Sequence, residues 1–192
     1  MQIQNIEFIH IPKTGGTTIL SHLSTLDSNK FDVDRLHRTA LQYSAIDNDF
    51  ESKFTFSVVR NPYQRLVSLW QYELKKQLGT KNINYKHYLD FNVWLKEQAC
   101  HLDWNRAFMI LPQWHWISNW DNNCIIKKVY KFENFNDIII DLSSMLNTKF
   151  DVNLVTNTSM KKHNYKEISN SESKNIMLKL CKVDCEKFNY DW

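Results

Sequence analysis

Hydrophobic and polar positions alternate between two periods along the chain, and the changes of period mark its elements. Residues 5–11 form a short apolar-rich stretch that stops at Pro12, which reads as a buried strand running into a loop. Behind the glycine pair Gly15-Gly16, apolar positions at Ile19, Leu20, Leu23 and Leu26 follow the helical period, with Thr17 or Thr18 as the expected N-cap. Residues 54–59 (FTFSVV) are β-branched and aromatic and predict a second strand. It is followed at once by Asn61-Pro62, an N-cap and first-turn pair, and by a helical face of Tyr63, Leu66, Val67, Trp70 and Leu74. Between these two units residues 39–46 predict a short helix.

Further along, residues 91–117 read as helical and aromatic-rich, and residues 125–132 as a strand. Phe135, Ile138, Ile139, Leu142 and Leu146 form an amphipathic stripe. A last helix is expected to start near Ser169 and Glu172, spaced as a capping box, and to reach about residue 188. Strands alternating with helices imply an α/β fold, a central parallel sheet flanked by helices. No repeat or linker interrupts it, so one domain over residues 1–192 is expected.

Composition narrows the class. The chain has 192 residues, 43% apolar and 23% charged, the profile of a globular domain that buries a core without staples. A net charge of +3 suits a small anionic ligand and is too small for a nucleic-acid coat. No apolar run approaches the ~20 residues of a membrane span, and no secretory signal is visible, so a cytoplasmic protein is expected. The four cysteines, Cys100, Cys124, Cys181 and Cys185, form no CxxC pair. Neither a zinc ribbon nor a dithiol redox site is therefore read.

The chemistry concentrates in two places. In Pro12-Lys13-Thr14-Gly15-Gly16-Thr17-Thr18 a strand opens through a glycine loop into a helix, so backbone N–H groups and the positive helix end converge on one point that favours a phosphate. Lys13 adds a charge there, and the hydroxyls of Thr14, Thr17 and Thr18 add donors. The lysine precedes the glycines, unlike the nucleotide-triphosphatase pattern GxxxxGK[ST]. The second place is Arg60, at the end of the second strand where open α/β sheets hold ligands. Asn61, Arg65 and Ser68 share one face of the helix that follows. Arginine forking onto phosphate oxygens, with one serine hydroxyl, would grip a second phosphate.

With both motifs present, the chain resembles the 3′-phosphoadenosine-5′-phosphosulfate (PAPS)-dependent sulfotransferases, and among them the carbohydrate enzymes of the heparan and chondroitin 2-O type and their small bacterial relatives. HIPKTGGTTI resembles the family's 5′-phosphosulfate loop and FTFSVVRNPYQRLVSLW its 3′-phosphate motif. YKFENF at 130–135, NTSMKKHNY at 157–165 and DCEKFNYDW at 184–192 are similar to its later blocks. The resemblance implies a P-loop-like sulfotransferase fold in which Lys13 meets the sulfuryl group and the bridging oxygen. It implies that the amides of Thr14, Gly15, Gly16, Thr17 and Thr18 hold the 5′-phosphate, while Arg60 and Ser68 hold the 3′-phosphate. No metal is expected, because the transferred sulfuryl group carries less charge than a γ-phosphoryl group.

An attacking hydroxyl must lose its proton, and His37, in DRLHRTALQ between the two motifs, matches a segment where the family places a histidine base. Other members use a glutamate elsewhere. His10 reads as a residue that supports the loop. Trp104, Phe108, Trp114, Trp116 and Trp120 read either as core or as a surface on which sugars stack. The acceptor is expected to be a carbohydrate or another hydroxyl-bearing molecule, with no nucleic acid partner and an oligomeric state left open. A non-catalytic nucleotide-binding module and an ATP-dependent phosphotransferase are the alternatives.

Overall fold

The computed structural model describes residues 5–26, 37–79, 87–100, 108–154 and 163–192. By contacts the chain divides into two compact units, Met1–Arg60 with Gln113–Thr158, and Asn61–Pro112 with Ser159–Trp192.

The first unit is built on three parallel strands in the order β1-β2-β3: β1 (Ile6–Ile9), β2 (Phe54–Val59) and β3 (Lys128–Lys131). All four residues of β1 and five of six in β2 are buried, the polar Glu7, Thr55 and Ser57 included, as in strands covered on both faces. β3 carries lysine at both ends and is half-exposed, as suits the edge of the sheet. In register, Ile6 pairs with Phe54 and Ile9 with Ser57, while Phe56 pairs with Lys128 and Val59 with Lys131. Parallel neighbours need long crossovers. Helices α1 (Gly16–Leu23) and α2 (Ala40–Ile46) lie in the first of these crossovers. The core of this unit joins Ile6, Phe8, Phe56 and Val58 of the sheet to Ile19 and Leu23 of α1.

In the second unit, α3 (Pro62–Leu78) begins as its sequence dictates: the Asn61 side chain accepts from the Gln64 amide at 3.0 Å and Pro62 occupies the first turn. Its apolar face, Tyr63, Leu66, Val67 and Trp70, packs with Phe91, Trp94 and Leu95 of α4 (Phe91–Cys100).

The expected helical stretch over 91–117 is interrupted. Pro112 disfavours helical backbone at the residue before it, and α5 (Gln113–Ile117) starts afresh beyond it, in the first unit. The strand expected over 125–132 is shorter. Ile125 donates instead to the Ile117 carbonyl at 2.9 Å, in a small antiparallel hairpin, and Phe132–Asn134 winds into a 3₁₀ turn. Helix α6 (Phe135–Leu146) has the expected bounds and buries Ile138, Ile139, Leu142 and Leu146 against the sheet core.

Helix α7 (Tyr165–Ile168) precedes a C-terminal segment that is two helices, α8 (Ser171–Leu180) and α9 (Lys182–Phe188). Its cap is Asn170, which accepts from the Ser173 amide at 2.8 Å, and Ser169 lies outside the helix. Among the described residues no helix is long and apolar enough to cross a membrane.

Candidate functional site

The loop between β1 and α1 is shaped by two residues with left-handed backbone, Lys13 (φ 69°) and Gly15 (φ 84°). For lysine this conformation costs about 1–2 kcal/mol, so the surrounding structure must hold it. Thr14 is fully buried and its hydroxyl donates to the Ile11 carbonyl at 2.9 Å, which closes the turn. That hydroxyl shapes the loop, and what Thr14 can offer a ligand is its amide.

The expected cap at Thr17 or Thr18 is corrected by the structure. Gly15 is the N-cap and makes no side-chain cap, while Thr18 and Ile19 donate to its carbonyl at 3.0 and 3.3 Å. The physical reason is crowding. A Cβ on Gly15 would lie 2.8 Å from the rings of both Phe132 and Phe135, and one on Gly16 would lie 2.0 Å from the His10 ring. The helix therefore starts at the glycines, with the amides of Gly16 and Thr17 at its positive end ahead of the first helical bonds, which Thr18 and Ile19 make. Thr17 is exposed and Thr18 is buried.

Arg60 follows the last residue of β2. Its Nη1 donates to the Lys13 carbonyl at 3.3 Å and its guanidinium carbon sits 4.5 Å from the centre of the Phe132 ring. The block YKFENF thus meets both motifs, Phe132 lying against Gly15 and Arg60 alike. Gln113, fully buried at the start of α5, grips the Arg60 backbone on both sides. Its Oε1 accepts from the Arg60 amide and its Nε2 donates to the Arg60 carbonyl, each at 2.8 Å. Sequence reasoning missed Gln113, because a single glutamine carries no local signature.

His37 Nδ1 lies 2.9 Å from the His10 carbonyl, and the two rings are 4.3 Å apart. A carbonyl only accepts, so Nδ1 bears the hydrogen and the neutral ring holds its lone pair on Nε2, the tautomer of a base. The edge of the Trp116 ring meets His37 at 6.2 Å. His10 stacks on Phe8 at 5.5 Å. Burial first, then the charges at His37 and Lys13, push its pKa down to about 3, so it stays neutral.

The second unit holds the other sequence-predicted residues. Ser68, on α3, is buried at 8% exposure. Arg65 is also buried. Its Nη1 donates to the Met109 carbonyl at 3.1 Å and its Nη2 to the Leu111 carbonyl at 2.6 Å. Burial lowers its pKa, opposed by the charge of Asp184. Arg65 thus fastens the segment before Pro112.

Of the aromatic residues, Trp116 is core and Trp120 is 90% exposed, while Trp104 lies outside the described residues, as do 157–162 of the block NTSMKKHNY. Among the described residues no group of three His, Cys, Asp or Glu side chains could hold a metal ion.

A buried parallel strand that turns through two glycines into a helix, with a lysine in the turn and an arginine at the end of the neighbouring strand, is an α/β arrangement whose positive helix end suits an anionic group. The sequence model of the sulfotransferase family matches residues 3–191, and the chain belongs to that family. Its class of activity is sulfuryl transfer. No curated protein and no solved structure matches the chain.

Proposed function

We propose that the protein transfers a sulfuryl group from PAPS to a hydroxyl of a carbohydrate or glycosylated acceptor, with residues 1–192 acting as one domain in the cytoplasm. The observation that carries the reading is the tie between the two motifs, the Arg60 guanidinium on the carbonyl of Lys13 in a glycine loop of left-handed backbone. The match over residues 3–191, which runs through both units, supports treating them as one enzyme.

The left-handed turn at Lys13 and Gly15 and the helix start behind it support a donor phosphate there. A side chain on Gly15 or Gly16 would run into the rings of Phe132, Phe135 and His10, so the turn into the helix depends on both glycines. In this reading the amides of Thr14, Gly15, Gly16 and Thr17 hold the 5′-phosphate, while the Thr18 amide, also expected there, is taken by the Gly15 carbonyl at 3.0 Å. PAPS, when bound, supplies the sulfuryl group and departs as 3′-phosphoadenosine 5′-phosphate (PAP). Lys13 neutralises charge that grows on the departing oxygen, the role in which a fixed cation gives most. Arg60 and Ser68 bind the 3′-phosphate and so distinguish PAPS from ATP, with arginine supplying two parallel donors. His37 accepts the proton of the attacking hydroxyl at Nε2, its ring held by the His10 carbonyl. The positive charge gained there is shared with that carbonyl through Nδ1–H. No metal takes part.

The test is turnover of PAPS with a panel of hydroxyl-bearing saccharides, beside ATP with Mg²⁺. Wild-type protein should form a sulfate ester and PAP, and Lys13→Ala should lose about 10²-fold or more in kcat while still binding PAP. PAP binding without turnover of any acceptor would favour a nucleotide-binding module. Phosphoryl transfer from ATP would overturn the reading.

A further inference from the structure

We infer that Gln113 is a positioning residue that sets the protein's selectivity for a 3′-phosphorylated nucleotide by fixing the backbone of Arg60. The inference rests on the reading of Arg60 as the 3′-phosphate ligand. β2 ends at Val59, whose partner in β3 is Lys131, so Arg60 is the first residue past the sheet's ladder. Its amide and carbonyl take their partners from one side chain, the fully buried carboxamide of Gln113 at 2.8 Å on each side. A carboxamide presents an acceptor oxygen and a donor NH₂ in one plane, the kind of pair a neighbouring strand would offer.

This clasp fixes the direction in which the Arg60 side chain leaves the chain. The guanidinium then spans the Phe132 ring and the Lys13 carbonyl. Gln113 is therefore linked through Arg60 to the left-handed residue of the glycine loop. A long cationic side chain binds tightly only when its root is fixed, because ordering it on binding opposes affinity. The two bonds of Gln113 end on main-chain atoms of Arg60, so its influence on the guanidinium passes through that main chain.

The experiment measures the dissociation constants of PAP and AMP by calorimetry on the full chain, since AMP differs from PAP only in lacking the 3′-phosphate. Arg60→Ala is the reference and should bring the two constants together; if it leaves their ratio unchanged, the assignment of Arg60 itself falls, and this inference with it. Given that reference, Gln113→Met, which keeps the volume and removes both bonds, should weaken PAP by about tenfold to a hundredfold and AMP by no more than about threefold. Gln113→Asn, one methylene shorter, should do the same to a smaller degree. Equal weakening of PAP and AMP, or no weakening of either, would overturn the inference while leaving Arg60 in place. Failure of both variants to fold would make Gln113 a structural residue only, and would also overturn it.

Discussion

The neutral ring of His10 makes a sharp prediction about acid sensitivity. In the unfolded chain its pKa is near 6.5, and in the native protein burial and the charges of His37 and Lys13 push it down to about 3. Between those values the unfolded state holds one more proton than the native state. Stability therefore falls as pH drops through 6.5 and continues to fall until about 3. At about pH 4.5 the native ring is still neutral and the unfolded ring charged, so two units of titration are expressed, worth about 2.7 kcal/mol. This figure depends on the unfolded value and stays the same for any native pKa well below 4.5. The comparison is His10→Phe, which keeps an aromatic ring on Phe8. The His10 Nδ1 is buried without a hydrogen-bond partner, so the phenyl ring removes no bond at that atom. Urea unfolding of both proteins at about pH 7 and 4.5 gives the double difference, in which every other titrating group cancels. Wild type should lose about 2.7 kcal/mol more than the variant, about 5–11 °C in Tm for a chain of this length. Equal losses would show that His10 takes a proton in the native state, and the account of the ring wedged on Gly16 would fail.

Two further outcomes follow from the packing. Gly16→Ala, a change that usually stabilises a helix by about 1 kcal/mol, should here destabilise by about 1–3 kcal/mol, because the new Cβ would lie 2.0 Å from the His10 ring. Thermal melts of Gly16→Ala, His10→Ala and the double variant should show a positive coupling, and additive losses would refute the contact. Arg65→Ala removes donors from the Met109 and Leu111 carbonyls and leaves a buried void, so a loss of about 3–5 kcal/mol is expected. A change below about 1 kcal/mol by denaturant titration would show that the segment before Pro112 is held otherwise.

Local chemistry explains which parts were legible in the sequence. β2 and α6 have the expected bounds and α3 the expected start because their signals are short-range: a β-branched run, a 3.6-residue stripe and an Asn-Pro cap. The N-cap of α1 was misread because the competing influence is remote. Phe132 and Phe135 admit only a glycine at position 15, and no local rule for threonine caps contains them. β3 is shorter than its apolar pattern because Ile125 turns to the Ile117 carbonyl. The C-terminal helix divides at Cys181, whose ψ of 0° breaks the helical repeat without a proline or glycine to announce it. Lys13 and Arg60 were legible as charges at strand ends, whereas the clasp of Gln113 on Arg60 joins positions far apart in sequence that share no pattern.

The ties within this site grip main-chain atoms, and that has a consequence for how its chemistry can be dissected. Arg60 holds the carbonyl of Lys13, His37 holds the carbonyl of His10, and Gln113 holds the amide and carbonyl of Arg60. Removing the side chain of Lys13 leaves its carbonyl for Arg60, and alanine is no worse suited than lysine to the left-handed backbone there, since both carry a Cβ. Lys13→Ala therefore deletes a charge from a loop that keeps its tether, and any loss of turnover reads on the charge. On the proposed function Arg60→Ala is a compound change, because it removes the 3′-phosphate ligand of that proposal together with the bond to the Lys13 carbonyl. Its effect should spread to the 5′-phosphate side of the donor, whereas that of Gln113→Met, with the guanidinium still present, should concentrate on the 3′-phosphate.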